Sequence, residues 1–76
     1  MAGELLELKK DTAASLYIIP CTFKELAERD FLRNKSHYGI QIMVDILLRD
    51  HWVYKKGEKL CVYKGIAESK LKDYEL

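Results

Sequence analysis

With 76 residues, the chain has room for one domain, 1–76, and a domain of this size buries only about 60% of the surface its unfolded form exposes. Its 49% hydrophobic and 33% charged residues exclude a disordered chain, and no apolar run reaches the ~18 residues of a membrane span. A formal net charge of +1 does not by itself announce a nucleic-acid binder.

In chain order, residues 3–14 read as a first helix. Leu5, Leu8, Thr12 and Leu16 fall near helical spacing, and Glu4 and Glu7 lie where the positive end of a helix dipole favours acids. Leu16-Tyr17-Ile18-Ile19 is β-rich and stops at Pro20, which predicts a strand of three or four residues. Thr22-Phe23-Lys24-Glu25 is a capping box. Behind it Phe23, Leu26, Ala27 and Phe31 make the apolar face of a second helix, expected to fade around Arg33-Asn34. Ser36 can cap a third helix running from His37 to about Asp50. Ile40, Met43, Val44, Leu47 and Leu48 form its inward stripe, while Tyr38, Ile42 and Ile46 fall on the opposite side among Gln41, Asp45 and Arg49. Gly39 is expected to leave the first turn irregular.

Two β-rich runs, Trp52–Lys55 and Leu60–Tyr63, flank Lys56-Gly57-Glu58-Lys59. Gly57 supplies the positive φ that tight hairpins need, so a β-hairpin is expected here, ending at Gly65. Ala67, Leu71 and Tyr74 suggest a terminal helix or tail over residues 66–76, either packed back or frayed.

Charge is uneven along the chain. Residues 1–30 carry a balance of −2, residues 31–64 a balance of +4 and residues 65–76 a balance of −1. The central segment therefore holds the electropositive character.

The order helix, short strand, helix, helix, hairpin resembles the winged helix-turn-helix family. "TFKELAERDFL" at 22–32 resembles the family's second helix. "SHYGIQIMVDILLRDHWVYKKGEKLCVYKG" at 36–65 resembles its third helix, an aromatic lead-in and the wing. The likeness spans roughly residues 3–65. It implies a small α+β fold of three helices, a short strand and a C-terminal β-hairpin wing. Packed this way, the hairpin and Leu16–Ile19 close the open side as a three-stranded sheet, with Trp52, Tyr54 and Val62 filling the gap. A helical hairpin lying on a small sheet, without helix-turn-helix geometry, is the alternative architecture.

The resemblance further implies a small DNA-binding, transcription-type regulator whose third helix enters the major groove while the wing touches backbone. Carried over by position, the candidates are Lys35, Ser36, His37, Tyr38 and Gln41 at the start of that helix and Lys55, Lys56 and Lys59 on the wing. Gln41 can pair with adenine, and Lys35, Ser36 and the wing lysines can hold phosphates. Against this, the helix's free side carries Asp45, Asp50, Ile42 and Ile46, and lysine on a hairpin also serves to guard a β-edge. Tyr38, Ile42 and Ile46 form a second apolar ridge. That ridge is covered either by the chain's own termini or by a homodimer or protein partner, which makes a protein-interaction module (an accessory subunit or a phage-type inhibitor) the alternative function.

Cys21, His37, His51 and Cys61 are separated by 16, 14 and 10 residues, with no close pair, so neither a metal site nor a disulfide framework is expected. Cys21 is either a thiol activated near a helix N-terminus or a small buried apolar residue. His51 is expected at a helix end where its cation would favour the dipole. Without a phosphate loop or a rigid carboxylate pair, no catalysis and no cofactor are expected. The amino terminus shows no secretory pattern, so a cytoplasmic location without membrane attachment is the expectation.

Overall fold

The computed structural model describes residues 2–74. Four helices and one three-stranded antiparallel sheet follow in the order α1 (Ala2–Ile18), β1 (Cys21–Thr22), α2 (Phe23–Ala27), α3 (His37–Arg49), β2 (Val53–Lys56), β3 (Lys59–Val62) and α4 (Lys64–Lys70), with a 3-10 turn at Asp30–Leu32 before α3. The sheet order is β1-β3-β2. Among the described residues, no helix is long and apolar enough to cross a membrane.

The first helix does not stop at residue 14, and Leu16–Ile19 is not a strand. α1 continues to Ile18, and the Ile19 N–H still donates to the Ser15 carbonyl at 3.1 Å. Helix wins because Thr12, Ala13 and Leu16 then point together into the core, all fully buried. Its C-terminus is also capped from elsewhere in the chain. The Arg29 guanidinium donates to the carbonyls of Ser15 at 2.9 Å and Ile19 at 2.6 Å, and to the Ser15 hydroxyl. A cation at the negative end of the dipole thus gives the Ile19 carbonyl a partner and adds a second bond to the Ser15 carbonyl, which already accepts from the Ile19 N–H. Pro20 ends the helix, and the short strand falls after it, at Cys21–Thr22.

α2 is also shorter than its apolar spacing predicts. The backbone at Arg29 turns extended (φ −69°, ψ 145°), and the 3-10 turn that follows buries Leu32 while Phe31 stays exposed. α3 matches its expected span and buries Ile40, Met43, Val44 and Leu47. Leu48, expected in the same stripe, is only partly buried. Thr12, a fully buried polar residue, donates to the Met43 sulfur at 3.3 Å and ties α1 to α3.

α3 ends in a Schellman motif. The Trp52 N–H reaches the Leu47 carbonyl at 3.0 Å and the His51 N–H reaches the Leu48 carbonyl at 3.2 Å. His51 between them takes φ +61°, a position usually filled by glycine. Trp52 then packs inward with Leu47.

In the hairpin, Val53 pairs with Val62, Tyr54 with Cys61, Lys55 with Leu60 and Lys56 with Lys59. Gly57-Glu58 is the two-residue turn. Gly57 has φ +65° while Glu58 does not enter positive φ, the φ pattern of a type II′ turn. Directly paired residues share a face. Val53, Leu60 and Val62 are buried, whereas Tyr54 is exposed, so Tyr54 points outward instead of filling the core as expected. The hairpin ends at Val62 and not at Gly65, which lies inside α4. α4 packs back on α1 through Ala67 and Leu71, and the Tyr74 hydroxyl donates to the Asp11 carboxylate.

Candidate nucleic-acid interface

The start of α3 and the hairpin are linked through α2, by Phe23. The Ser36 hydroxyl accepts from the Gly39 N–H at 3.0 Å and caps α3. The first turn is regular helix, contrary to the irregularity expected from Gly39. A Cβ at position 39 would lie 3.2 Å from the Ser36 oxygen. Lys35, Ser36, His37 and Tyr38 are all exposed around this turn, Tyr38 at 77%. His37 stands edge-on to Phe23, ring centroids 6.4 Å apart.

Phe23 connects the two elements. With Thr22, Lys24, Lys55, Gly57 and Glu58 it lines an open groove of about 470 Å³ between the start of α2 and the hairpin tip. Thr22 and Glu25 complete the capping box. The Glu25 N–H donates to the Thr22 hydroxyl at 3.3 Å, and the Thr22 N–H donates to the Glu25 carboxylate at 3.1 Å. Those bonds to Thr22 hold the Glu25 carboxyl below its ordinary range, and nearby Lys59 and Arg29 add to the effect. The groove's nearest cap carboxylate is therefore firmly ionised yet already engaged.

The structure brings Lys55 of the expected cations into the groove, beside Lys24, and places Lys56 and Lys59 on the other face of the hairpin. The two carboxylates that weighed against an anion-facing α3 are both occupied. Asp45 accepts from the Gln41 amide at 2.8 Å. Asp50 is turned to Lys9 at 2.9 Å, and that bond, with Arg49 alongside, holds its carboxyl below the usual range. The same Gln41 bond ties up the amide that would read a base edge.

The cations fall into two groups by partner. Lys9, Lys10, Arg33, Arg49 and Lys64 each meet a carboxylate within 4.0 Å. Among the described residues, Lys24, Lys35, Lys55, Lys56 and Lys59 have no such partner, and all five are exposed. Lys70 and Lys72, exposed at the far end of the chain, likewise lack one.

The second ridge is open at two of its three positions. Tyr38 is 77% and Ile42 is 42% exposed, whereas Ile46 is partly buried. The sequence does not mark Lys24 or Tyr63 as site residues, and it assigns Tyr54 to the core. Lys24 sits in the acidic first segment, and only the fold carries it to the hairpin. The outward tyrosines are legible from the two-residue alternation once Val53 and Val62 are set inward.

Cys21 is buried and precedes the cap, which is Thr22. Burial pushes its thiol up, with Arg29 opposing, so it has the character of an apolar core residue. His51 is exposed in its left-handed position. Among the described residues, no three of His, Cys, Asp and Glu gather where a metal ion would be held.

Comparison with protein-family models, curated proteins and solved structures gives no match, so the site is read on its own geometry.

Proposed function

We propose that the chain is a small winged helix-turn-helix domain that binds double-stranded DNA, with the hairpin as its wing and the start of α3 toward the groove. The observation that carries this reading is the set of five exposed lysines without a carboxylate partner among the described residues, Lys24, Lys35, Lys55, Lys56 and Lys59, gathered on α2, the start of α3 and the hairpin. The element order and the β1-β3-β2 sheet support it. Phosphate contacts supply most of the affinity in such a mode. Because Gln41 is held by Asp45, base reading is weak and binding is chiefly electrostatic.

Fluorescence anisotropy on random-sequence duplex tests it. Three hairpin contacts give a log–log salt slope of about −3, so affinity falls about 50-fold between 50 and 200 mM salt. A Lys55→Ala, Lys56→Ala, Lys59→Ala variant flattens that slope. No binding at ~50 mM salt, where such contacts are strongest, overturns the reading.

A second reading is favoured by one observation. Tyr38 and Ile42, one helical turn apart, present apolar surface on α3, which suits a protein partner or a second copy of the chain. Sedimentation separates the cases: a dimer that dissociates on Ile42→Asp places the partner on this ridge, and a monomeric native chain removes the homodimer.

A further inference from the structure

We propose that the outer face of the sheet, which shares Lys56 and Lys59 with the duplex reading, is also a stacking platform for single-stranded nucleic acid. It goes beyond the duplex reading and does not rest on it. The pairs Tyr54–Cys61 and Lys56–Lys59 lie directly opposite across the hairpin, and Thr22 lies opposite Lys59 on the other side. The buried set, Cys21, Val53, Leu60 and Val62, takes the alternate positions. Tyr54, Lys56, Lys59 and Cys61 therefore share the outward face.

The face has two chemical ends. At one, the rings of Tyr54 and Tyr63 stand 4.7 Å apart at a 45° tilt, with 37% and 42% of their surfaces in solvent. At the other, Lys56 and Lys59 are like charges placed directly opposite, an arrangement that costs stability unless an anion lies between them. Neither has a carboxylate within 4.0 Å among the described residues, although Lys59 lies near enough to Glu25 to help hold its carboxyl down. Two residues of strand, ~7 Å, separate the Tyr54 and Lys56 positions.

A ligand that satisfies both ends has flat π surfaces and a phosphate next to them, repeated along a flexible chain. An unpaired nucleic-acid strand has that chemistry, since every base offers a face for stacking and every step a negative charge. A stacked duplex hides its base faces and engages only the lysines. An acidic peptide likewise uses the lysines and leaves the tyrosines without a role.

The experiment is anisotropy with a labelled twelve-nucleotide oligo(dT), the same backbone made abasic, random duplex, and polyglutamate, all at ~50 mM salt. Oligo(dT) is expected to bind the native protein more tightly than the abasic strand. Tyr54→Ala, Tyr63→Ala should weaken oligo(dT) by about 5- to 100-fold, and Tyr54→Phe, Tyr63→Phe should retain it. Duplex affinity should be the same in all three proteins. Equal binding of oligo(dT), abasic strand and polyglutamate by the native protein shows an electrostatic surface only and overturns the platform, without any variant having to fold. So does an oligo(dT) affinity unchanged by the double alanine variant. Duplex binding that fails while oligo(dT) binding persists sinks the duplex reading and leaves this one standing.

Discussion

The two ends of this small molecule treat charge in opposite ways. Where α1, the end of α3 and α4 meet, the lysines of α1 are paired, although among the described residues Lys70 and Lys72 beside them are not. Lys9 reaches Asp50 and lies 4.4 Å over the Trp52 ring, Lys10 faces Asp73 at 3.8 Å, and Tyr74 donates to Asp11. Around α2 and the hairpin, the lysines have no carboxylate within 4.0 Å among the described residues, though Glu25 and Glu58 lie near them, and the tyrosines lie open to solvent. The same residue types thus serve as fasteners at one end and as a free surface at the other. Exposed ion pairs are individually weak, so what the difference teaches concerns field more than stability. Cations matched by carboxylates cancel at a distance, and unmatched ones add.

The sharpest way to break the comparison is at the joint between the two ends. Arg29 leaves α2 to cap α1, and its guanidinium is half-buried. Arg29→Met should cost about 1.5–3 kcal/mol, the range for hydrogen bonds made by a charged group. Urea unfolding followed by circular dichroism measures it. A loss below ~0.5 kcal/mol would place the α1 terminus among frayed ends that water satisfies equally well.

At the hairpin the effect is smaller and of a different kind. A side chain at position 57 meets nothing within 4 Å, so the strain of Gly57→Val comes from φ +65° alone. The expected cost is about 1–2 kcal/mol, together with weaker duplex binding, because the turn places Lys55, Lys56 and Lys59. Duplex affinity that falls with no change in stability would show that the turn orders the lysines without holding the fold.

These two sites also mark what the sequence made legible. Signals contained within a few residues were readable: the Thr22–Glu25 box, the Ser36 cap, the inward stripe of α3 and the Gly57 turn. Signals that depend on a distant partner were not. Tyr17-Ile18-Ile19 has strand composition, and nothing in that window shows that Arg29, ten residues beyond Ile19, satisfies the end of a helix there. The second helix failed for the same reason, since a guanidinium turned back to Ser15 and Ile19 requires the backbone to leave the helix at Arg29. Of the candidate site, the hairpin lysines and the exposed turn at Lys35–Tyr38 were legible from composition and spacing. Lys24 was not, because segment charge assigns it to an acidic stretch that the fold then divides. The open faces of Tyr54 and Tyr63 needed the strand register, which fixes inside and outside only after Val53 and Val62 are placed.

At the paired end, pH supplies a gentler probe. Burial, with the hydrogen bond to the Asp11 carboxylate next, pushes the Tyr74 phenol up to about 12 from its ordinary 10.0. A raised acid favours folding while it stays protonated, so the contribution is complete below pH 10 and is lost as pH rises toward 12. Native chain should therefore lose stability across that interval, and Tyr74→Phe should flatten this part of the curve. An unchanged curve in the variant would assign the alkaline loss to other groups. Binding of duplex, which depends on the opposite end, should not follow Tyr74→Phe at neutral pH.

The smallest expected effect has the opposite sign. His51 closes the Schellman motif with φ +61°, a backbone that costs an L-residue about 1–2 kcal/mol relative to glycine. Part of that is returned by the greater chain entropy glycine has when unfolded. His51→Gly should then stabilise the chain by about 0.5 kcal/mol, read as a rise in the urea midpoint with an unchanged slope. The substitution removes an exposed imidazole at the end of α3, so it also tests whether that histidine acts through its ring. If the midpoint falls, the imidazole contributes at the helix terminus more than its backbone costs, and the paired end of the molecule extends one residue further than its ion pairs indicate.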